Sequence, residues 1–226
     1  MKDKSEHKSY LGAKGGSGVY QAIINLMPPH ETYIEGFLGT GAIFKKKAPA
    51  EYNIVIDKSP CMVGQFVYPG AEKITGCTIE YLENYQAKPN TLIYLDPPYY
   101  LSTRTSSARY EHELTHDDHY RLLTAIKRID SDMTKIIISG YNNKLYAEIL
   151  DDWWSKSFQA MTRGGVRTET VWCNFMPGEI HYHTYAGENY TDRQRIKRKA
   201  QRWANNYQAL PPAERQAILT ALLNVE

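Results

Sequence analysis

The stretch "TLIYLDPPYY", Thr91 to Tyr100, decides how this chain reads. Thr91-Leu92-Ile93-Tyr94-Leu95 is a run of apolar residues and β-formers of the length of a buried strand. Pro97 and Pro98 then stop it, because each removes a backbone donor and fixes φ. The outcome is a stiff turn at the carboxyl end of a strand, carrying the carboxylate of Asp96 and the rings of Tyr99 and Tyr100. In open α/β sheets, that edge is where ligands bind.

Outward from this strand, extended and helical patterns alternate. Strand patterns fall at 32–37, 53–57, 74–78, 135–139, 155–159 and 170–175. Helical patterns fall at 18–27, 59–67, 117–129 and 143–154. Such alternation predicts an α/β domain, a mostly parallel sheet with helices on both faces. The clearest helix has Tyr120, Leu122, Leu123, Ile126 and Ile129 at helical spacing, and Thr115 with Asp118 makes a capping box at its start. Near Asp192 the composition turns basic. "DRQRIKRKAQRWANNYQAL" and "PPAERQAILTALL" predict two helices, the second entered through proline. The expected division is a body at 1–190 and a basic two-helix extension at 191–226.

The chain has 226 residues and a net charge of only +2, so no global basicity points to a polyanion. Hydrophobic residues at 42% and charged residues at 23% are ordinary for a globular protein. The 18 tyrosines suit a surface that stacks on planar ligands, and equally a plain core. Cys61, Cys77 and Cys173 are widely spaced and form no CxxC, which argues against a disulfide framework or a cysteine zinc site. The N-terminal "MKDKSEHKSY" has no apolar core of a signal peptide, and no run reaches membrane-spanning length. The expectation is a soluble, intracellular protein with no membrane partner.

"YIEGFLGTGAIF" (33–44) sets Gly36, Gly39 and Gly41 after a strand and before an expected helix, where glycine lets the backbone approach a ligand. The next strand ends in Asp57, sixteen residues after Gly41. An acid there can accept both hydroxyls of a ribose.

In this order, "FLGTG" (37–41), "IVID" (54–57) and "DPPY" (96–99) resemble the Dam-type and phage-type adenine-specific DNA methyltransferases, the D12 class. "YLGAKGG" (10–16) resembles that group's N-terminal cofactor motif. The motif order covers roughly residues 8 to 190. The resemblance implies a Rossmann-like seven-stranded fold dependent on S-adenosylmethionine, with a C-terminal helical appendage. It implies methyl transfer to the N6 of an adenine flipped out of double-stranded DNA. It places Asp96, Pro97, Pro98 and Tyr99 in catalysis. Cofactor contacts carried over are Tyr10, Lys14, Gly15, Glu35, Phe37, Gly39, Gly41, Asp57 and Asp96, and no metal is implied. The setting implied is the cytoplasm of a bacterial or phage-infected cell, as a phage, prophage or restriction-modification enzyme.

The chemistry suits the residues. The N6 of adenine is a poor nucleophile because its lone pair is delocalised into the ring. Two acceptors on its hydrogens, the Asp96 carboxylate and most simply the Pro97 carbonyl, orient it and favour its pyramidal form. Tyr99 offers a face on which a base can stack, worth on the order of 1–3 kcal/mol.

Several features depart from the group. Between Asp57 and Asp96 there is room for one helix, one strand and another short helix, and not for a separate recognition domain. Gly36 stands where the group has proline. Cys77 stands where it has an acid, with Glu80 as a substitute. Nucleic-acid contacts are expected from Arg104 and Arg109 after the catalytic turn, Arg163 and Arg167 on a glycine-flexed hairpin, and Arg195, Lys197 and Arg198 in the tail. The competing reading of the tail is an amphipathic helix packed through Ile196, Trp203 and Leu210. "HELTH" (112–116) matches a zinc-protease pattern, but the Thr115 cap puts the helix start after it, so the histidines are not expected on one helical face. Two alternatives stay open: adenine-N6 methylation of RNA, and a weakly active nucleic-acid-binding subunit that needs a specificity partner. A homodimer is also left open.

Overall fold

The computed structural model describes residues 18–100, 112–162 and 165–225. Two compact units divide the chain, Met1–His183 and Thr184–Glu226.

The first unit is built on β1 (Thr32–Gly36), β2 (Tyr52–Asp57), β3 (Ala71–Thr75), β4 (Thr91–Leu95), β5 (Thr134–Gly140), β6 (Trp154–Thr162) and β7 (Gly165–Cys173). Their order in a seven-stranded sheet is β3-β2-β1-β4-β5-β7-β6. The first five are parallel, and β7 runs antiparallel to both β5 and β6. This is the Rossmann-like seven-stranded arrangement that the resemblance implied. The strand order reverses between β1 and β4, so a ligand crevice opens at their carboxyl ends.

Burial follows from this arrangement. All five residues of β4 are buried, as a central parallel strand covered on both faces must be. The helices are α1 (Val19–Ile24), α2 (Pro60–Gln65), α3 (Thr78–Glu83), α4 (His116–Lys127) and α5 (Lys144–Ile149). Ile34, Ile93 and Ile136 from the strands meet Leu82 of α3 and Leu122, Leu123 and Ile126 of α4 in one core. The α4 start obeys its capping box: Asp118 N–H donates to Thr115 Oγ1 at 3.1 Å and Thr115 N–H to Asp118 Oδ2 at 3.0 Å.

Four local expectations are corrected. The strand expected at 74–78 lies at Ala71–Thr75, because pairing with β2 runs from Asn53 beside Ala71 to Asp57 beside Thr75. Cys77 is then an N-cap and Thr78 opens α3. No helix follows the glycine loop. Residues 42–46 form turns only, and Pro49 pushes Ala48 away from the helical region. Tyr120 is 54% exposed and lies off the buried face of α4. The last two strands run longer than their patterns suggested, since β6 and β7 pair along nine residues each.

The second unit holds α6 (Tyr190–Gln208) and α7 (Pro212–Leu223). Asn189 caps α6 by accepting from Asp192 N–H at 3.0 Å, and Tyr207 Oη donates to the Arg215 carbonyl at 3.0 Å. Neither helix buries a side chain. Trp203 is 62% exposed, so it does not anchor the packing that the competing reading of the tail gave it. Local pairs such as Asp192–Arg195 at 2.7 Å supply the support instead. No described helix is long and apolar enough to cross a membrane.

Gly36 has a steric reason. A Cβ there would lie 2.4 Å from Thr78 Cγ2 and 2.8 Å from Leu95 Cδ2. Thr78 is stiff at χ1 and buried, so it has little room to yield. This accounts for the lack of proline, whose ring needs still more space. Gly36→Ala should cost about 1–3 kcal/mol of stability in urea unfolding. A variant as stable as the parent would mean that Thr78 moves aside freely.

Candidate active site

Three strand ends meet at one level. In β1, Gly36 lies beside Ile56 of β2 on one side and Leu95 of β4 on the other. Phe37, Asp57 and Asp96 therefore leave the sheet together, and one cavity is lined by all three along with Glu35, Gly39, Pro97 and Pro98. The sheet register itself brings the glycine loop and the proline turn to the same place.

The loop after β1 is wound through left-handed backbone at Phe37 (φ 56°), Gly39 (φ 51°) and Gly41 (φ 63°). At Gly41 a side chain is excluded twice, by that φ and by the Phe66 ring 2.6 Å from where its Cβ would sit. Phe37 is a larger residue in the same region, a strain of roughly 1 kcal/mol or more that surrounding contacts must hold. Its N–H donates to Thr78 Oγ1 at 3.2 Å, and Leu38 N–H donates to the Ile56 carbonyl at 3.1 Å.

Asp57 completes the clamp. Its Oδ2 accepts from Gly39 N–H and its Oδ1 from Ser59 N–H, each at 2.8 Å. The carboxylate expected to meet ribose hydroxyls thus first ties the glycine loop to the end of β2. A carboxylate has about four acceptor sites, so capacity remains for a ligand hydroxyl.

Asp96 is oriented from below. Ser139 Oγ lies 3.2 Å from Asp96 Oδ1 and 2.9 Å from Tyr94 Oη, with both Tyr94 and Ser139 buried. Tyr94 Oη donating to Ser139, and Ser139 donating to Asp96, uses each hydroxyl proton once. Tyr99 turns toward β7: its Oη donates to Glu169 Oε1 at 2.8 Å, and its ring stacks on Tyr141.

Glu35 is buried, and Tyr33 Oη donates to its Oε2 at 2.7 Å. Burial pushes its carboxyl up to about 8, and the Asp96 charge adds to this, against the opposing effects of Tyr33 and Lys47. Lys47 is buried as well, 3.9 Å from the Tyr33 ring centroid, and burial brings its ammonium down to about 8. At neutral pH, Glu35 is protonated and Lys47 is charged.

The other expected residues fall as follows. Arg167 stands on β7 beside Tyr141. Arg195, Lys197 and Arg198 are exposed on α6 of the second unit, with Arg195 paired to Asp192. Tyr10, Lys14, Gly15, Arg104, Arg109 and Arg163 lie outside the described residues. Glu80 does not line the cavity, whereas Cys77 and Thr78 do. In "HELTH", α4 begins only at His116, so His112 precedes the helix. It lines the cavity instead, and its buried Nε2 has no hydrogen-bond partner among the described residues. Sequence reasoning missed His112, Tyr94, Ser139, Tyr141 and Glu169 as site residues. Ser139 is 43 residues from Asp96, and only the β4–β5 pairing makes them neighbours.

Asp57→Asn would turn one acceptor into a donor facing a backbone N–H. The expected loss is about 1–3 kcal/mol in urea unfolding. Faster hydrogen exchange at the Gly39 amide should accompany it, and unchanged exchange there would show that the clamp does not hold the loop.

Known proteins resemble this one in fold at low identity. N-methyltransferase NodS from Bradyrhizobium japonicum WM9 is 14% identical, over 69% of this chain and 93% of that one, with a TM-score of 0.49. Magnesium protoporphyrin IX methyltransferase from Synechocystis PCC 6803, solved with bound SAM, is 14% identical over 69% and 74%, with a TM-score of 0.42. Precorrin-6y C5,15-methyltransferase from Geobacter metallireducens GS-15 is 11% identical over 67% and 87%, with a TM-score of 0.43. No curated protein matches the chain in sequence. Residues 71–168, which carry the Asp96 turn and the first four residues of β7, match the model of the D12 class N6 adenine-specific DNA methyltransferase family.

Proposed function

We propose that the chain transfers a methyl group from S-adenosylmethionine to the N6 of an adenine flipped from double-stranded DNA. The work is assigned to residues 1–190, with 191–226 as a basic extension. The observation that carries this reading is the shared cavity: the Gly39 loop, Asp57 and the Asp96-Pro97-Pro98 turn line one space. That space fits the cofactor chemically. Its carboxylates suit a cation, and Asp57 at the end of β2 suits a ribose.

S-adenosylmethionine supplies an electrophilic methyl on a sulfonium. Asp96 and the Pro97 carbonyl accept the two N6 hydrogens and aim the lone pair at that carbon. With the cofactor bound, methyl transfer to N6 would leave S-adenosylhomocysteine, and the proton that N6 then loses would pass to the Asp96 carboxylate or to solvent. Asp96 therefore need not be a strong base. Ser139 positions its carboxylate so that no reorientation is needed at the moment of transfer. Basic groups, Arg167 on the hairpin and Arg195, Lys197 and Arg198 on α6, would engage phosphates in a salt-dependent way.

Incubation of the protein with labelled S-adenosylmethionine and DNA, with RNA in parallel, tests the reading. Label is expected in DNA as N6-methyladenine. Asp96→Ala should lower the rate by roughly 10²-fold or more. Absence of transfer, or an Asp96→Ala variant equal to the parent, would refute it. Preference for RNA would select the alternative polymer, and turnover that needs an added partner would select the subunit reading.

A pH dependence follows. Below about pH 8, Glu35 is neutral and Lys47 is charged. Raising the pH ionises Glu35 and neutralises Lys47, and both changes favour a cation. Affinity for the sulfonium cofactor should therefore rise between pH 6 and about 8, with proton release on binding. S-adenosylhomocysteine, which lacks the sulfonium charge, should show a shallower slope. Calorimetry in buffers of different ionisation enthalpy reads both, and parallel flat profiles would remove Glu35 from cofactor recognition.

A further inference from the structure

The face of Tyr99 is already covered. Tyr141, the first residue after β5, stacks on it with ring centroids 4.2 Å apart and planes 20° apart. Both rings are tied at their hydroxyls. Tyr99 Oη donates to Glu169, a carboxylate only 3% exposed on β7. Arg167, on the same strand, donates from Nη1 to Tyr141 Oη at 3.2 Å, with its guanidinium carbon 5.9 Å from the Tyr141 centroid. Stacked bases repeat at about 3.4 Å, so a base held between two rings needs them about 7 Å apart. At 4.2 Å there is no room on this face.

We propose that Tyr141 is a movable second jaw of the base slot, latched shut by Arg167. To admit a flat base between itself and Tyr99, it opens by about 3 Å. The two rings differ in how they can move. Tyr99 is fixed by the proline turn behind it and by the buried Glu169. Tyr141 lies in the short connection 141–143 between β5 and α5, outside the strand ladder. The latch is exchangeable. A phosphate offers the Arg167 guanidinium a stronger, charge-assisted partner than the neutral phenol of Tyr141 does. A nucleic-acid phosphate that takes Arg167 would free Tyr141 as the base enters, and the jaw would then close on the second face of the base.

This inference rests on the nucleic-acid substrate proposed above, and its test needs no methyl transfer. The probe is a short thymidine oligonucleotide carrying one 2-aminopurine, whose fluorescence is quenched by stacking. Single-stranded, it asks nothing of duplex opening. The parent protein should quench it. Tyr141→Phe keeps the ring and loses the latch, so binding should tighten by about three- to tenfold. Tyr141→Ala loses the second face, so binding should weaken by about tenfold or more. Binding of S-adenosylhomocysteine and the thermal midpoint should match the parent in both, which shows intact folding. A merely structural tyrosine would not move the two variants in opposite directions. Equal effects, shifts in the same direction, or a parent that leaves the probe unquenched would each overturn the proposal. Failure of methyl transfer with quenching intact would instead count against the activity and leave the slot standing.

Discussion

The Asp57 carboxylate, shared between Gly39 N–H and Ser59 N–H, is the interaction on which the site depends. Parallel pairing brings Gly36, Ile56 and Leu95 to one level, but register alone leaves the loop after β1 free to wander. Two charge-assisted hydrogen bonds to a nearly buried carboxylate remove that freedom. They hold a backbone that includes Phe37 in a left-handed conformation, a state that persists only where its surroundings insist on it. The cavity floor is thereby formed before any ligand arrives.

The acids of the site have different duties, set by surroundings and not by residue type. Asp57 is a structural acceptor. Asp96 is aimed by a chain of hydroxyls from Tyr94 through Ser139. Glu35, buried and facing the charge of Asp96, stays protonated to about pH 8. An ionised Glu35 would be opposed by its burial and by the charge of Asp96. Neutralising Glu35 relieves this in the free protein and leaves one carboxyl that a cationic ligand can ionise.

The Tyr99–Tyr141 side of the site is built differently. It uses rings and hydroxyls from the antiparallel end of the sheet, where β7 lies between β5 and β6. Because β7 runs against β5, Arg167 and Glu169 come near the carboxyl ends of β4 and β5. The hairpin places the guanidinium of Arg167 and the buried carboxylate of Glu169 next to the tyrosine pair.

Much was legible in the sequence, for local reasons. Apolar runs stopped by Asp-Pro-Pro or by glycines mark strands and their ends, since proline and glycine act within one or two residues. The capping box of α4 is likewise a contact three residues long. Hence the parallel sheet, the glycine loop and the Asp96 turn could all be read. The displaced third strand could not, because its limits are set by pairing with β2. Nor could Ser139, Tyr141 or Glu169, whose partners lie tens of residues away, nor the cavity position of His112. Local residue patterns determined where strands end and which chemistry stands at those ends. Strand order and register decided which ends meet, because hydrogen bonding between strands is blind to distance along the chain.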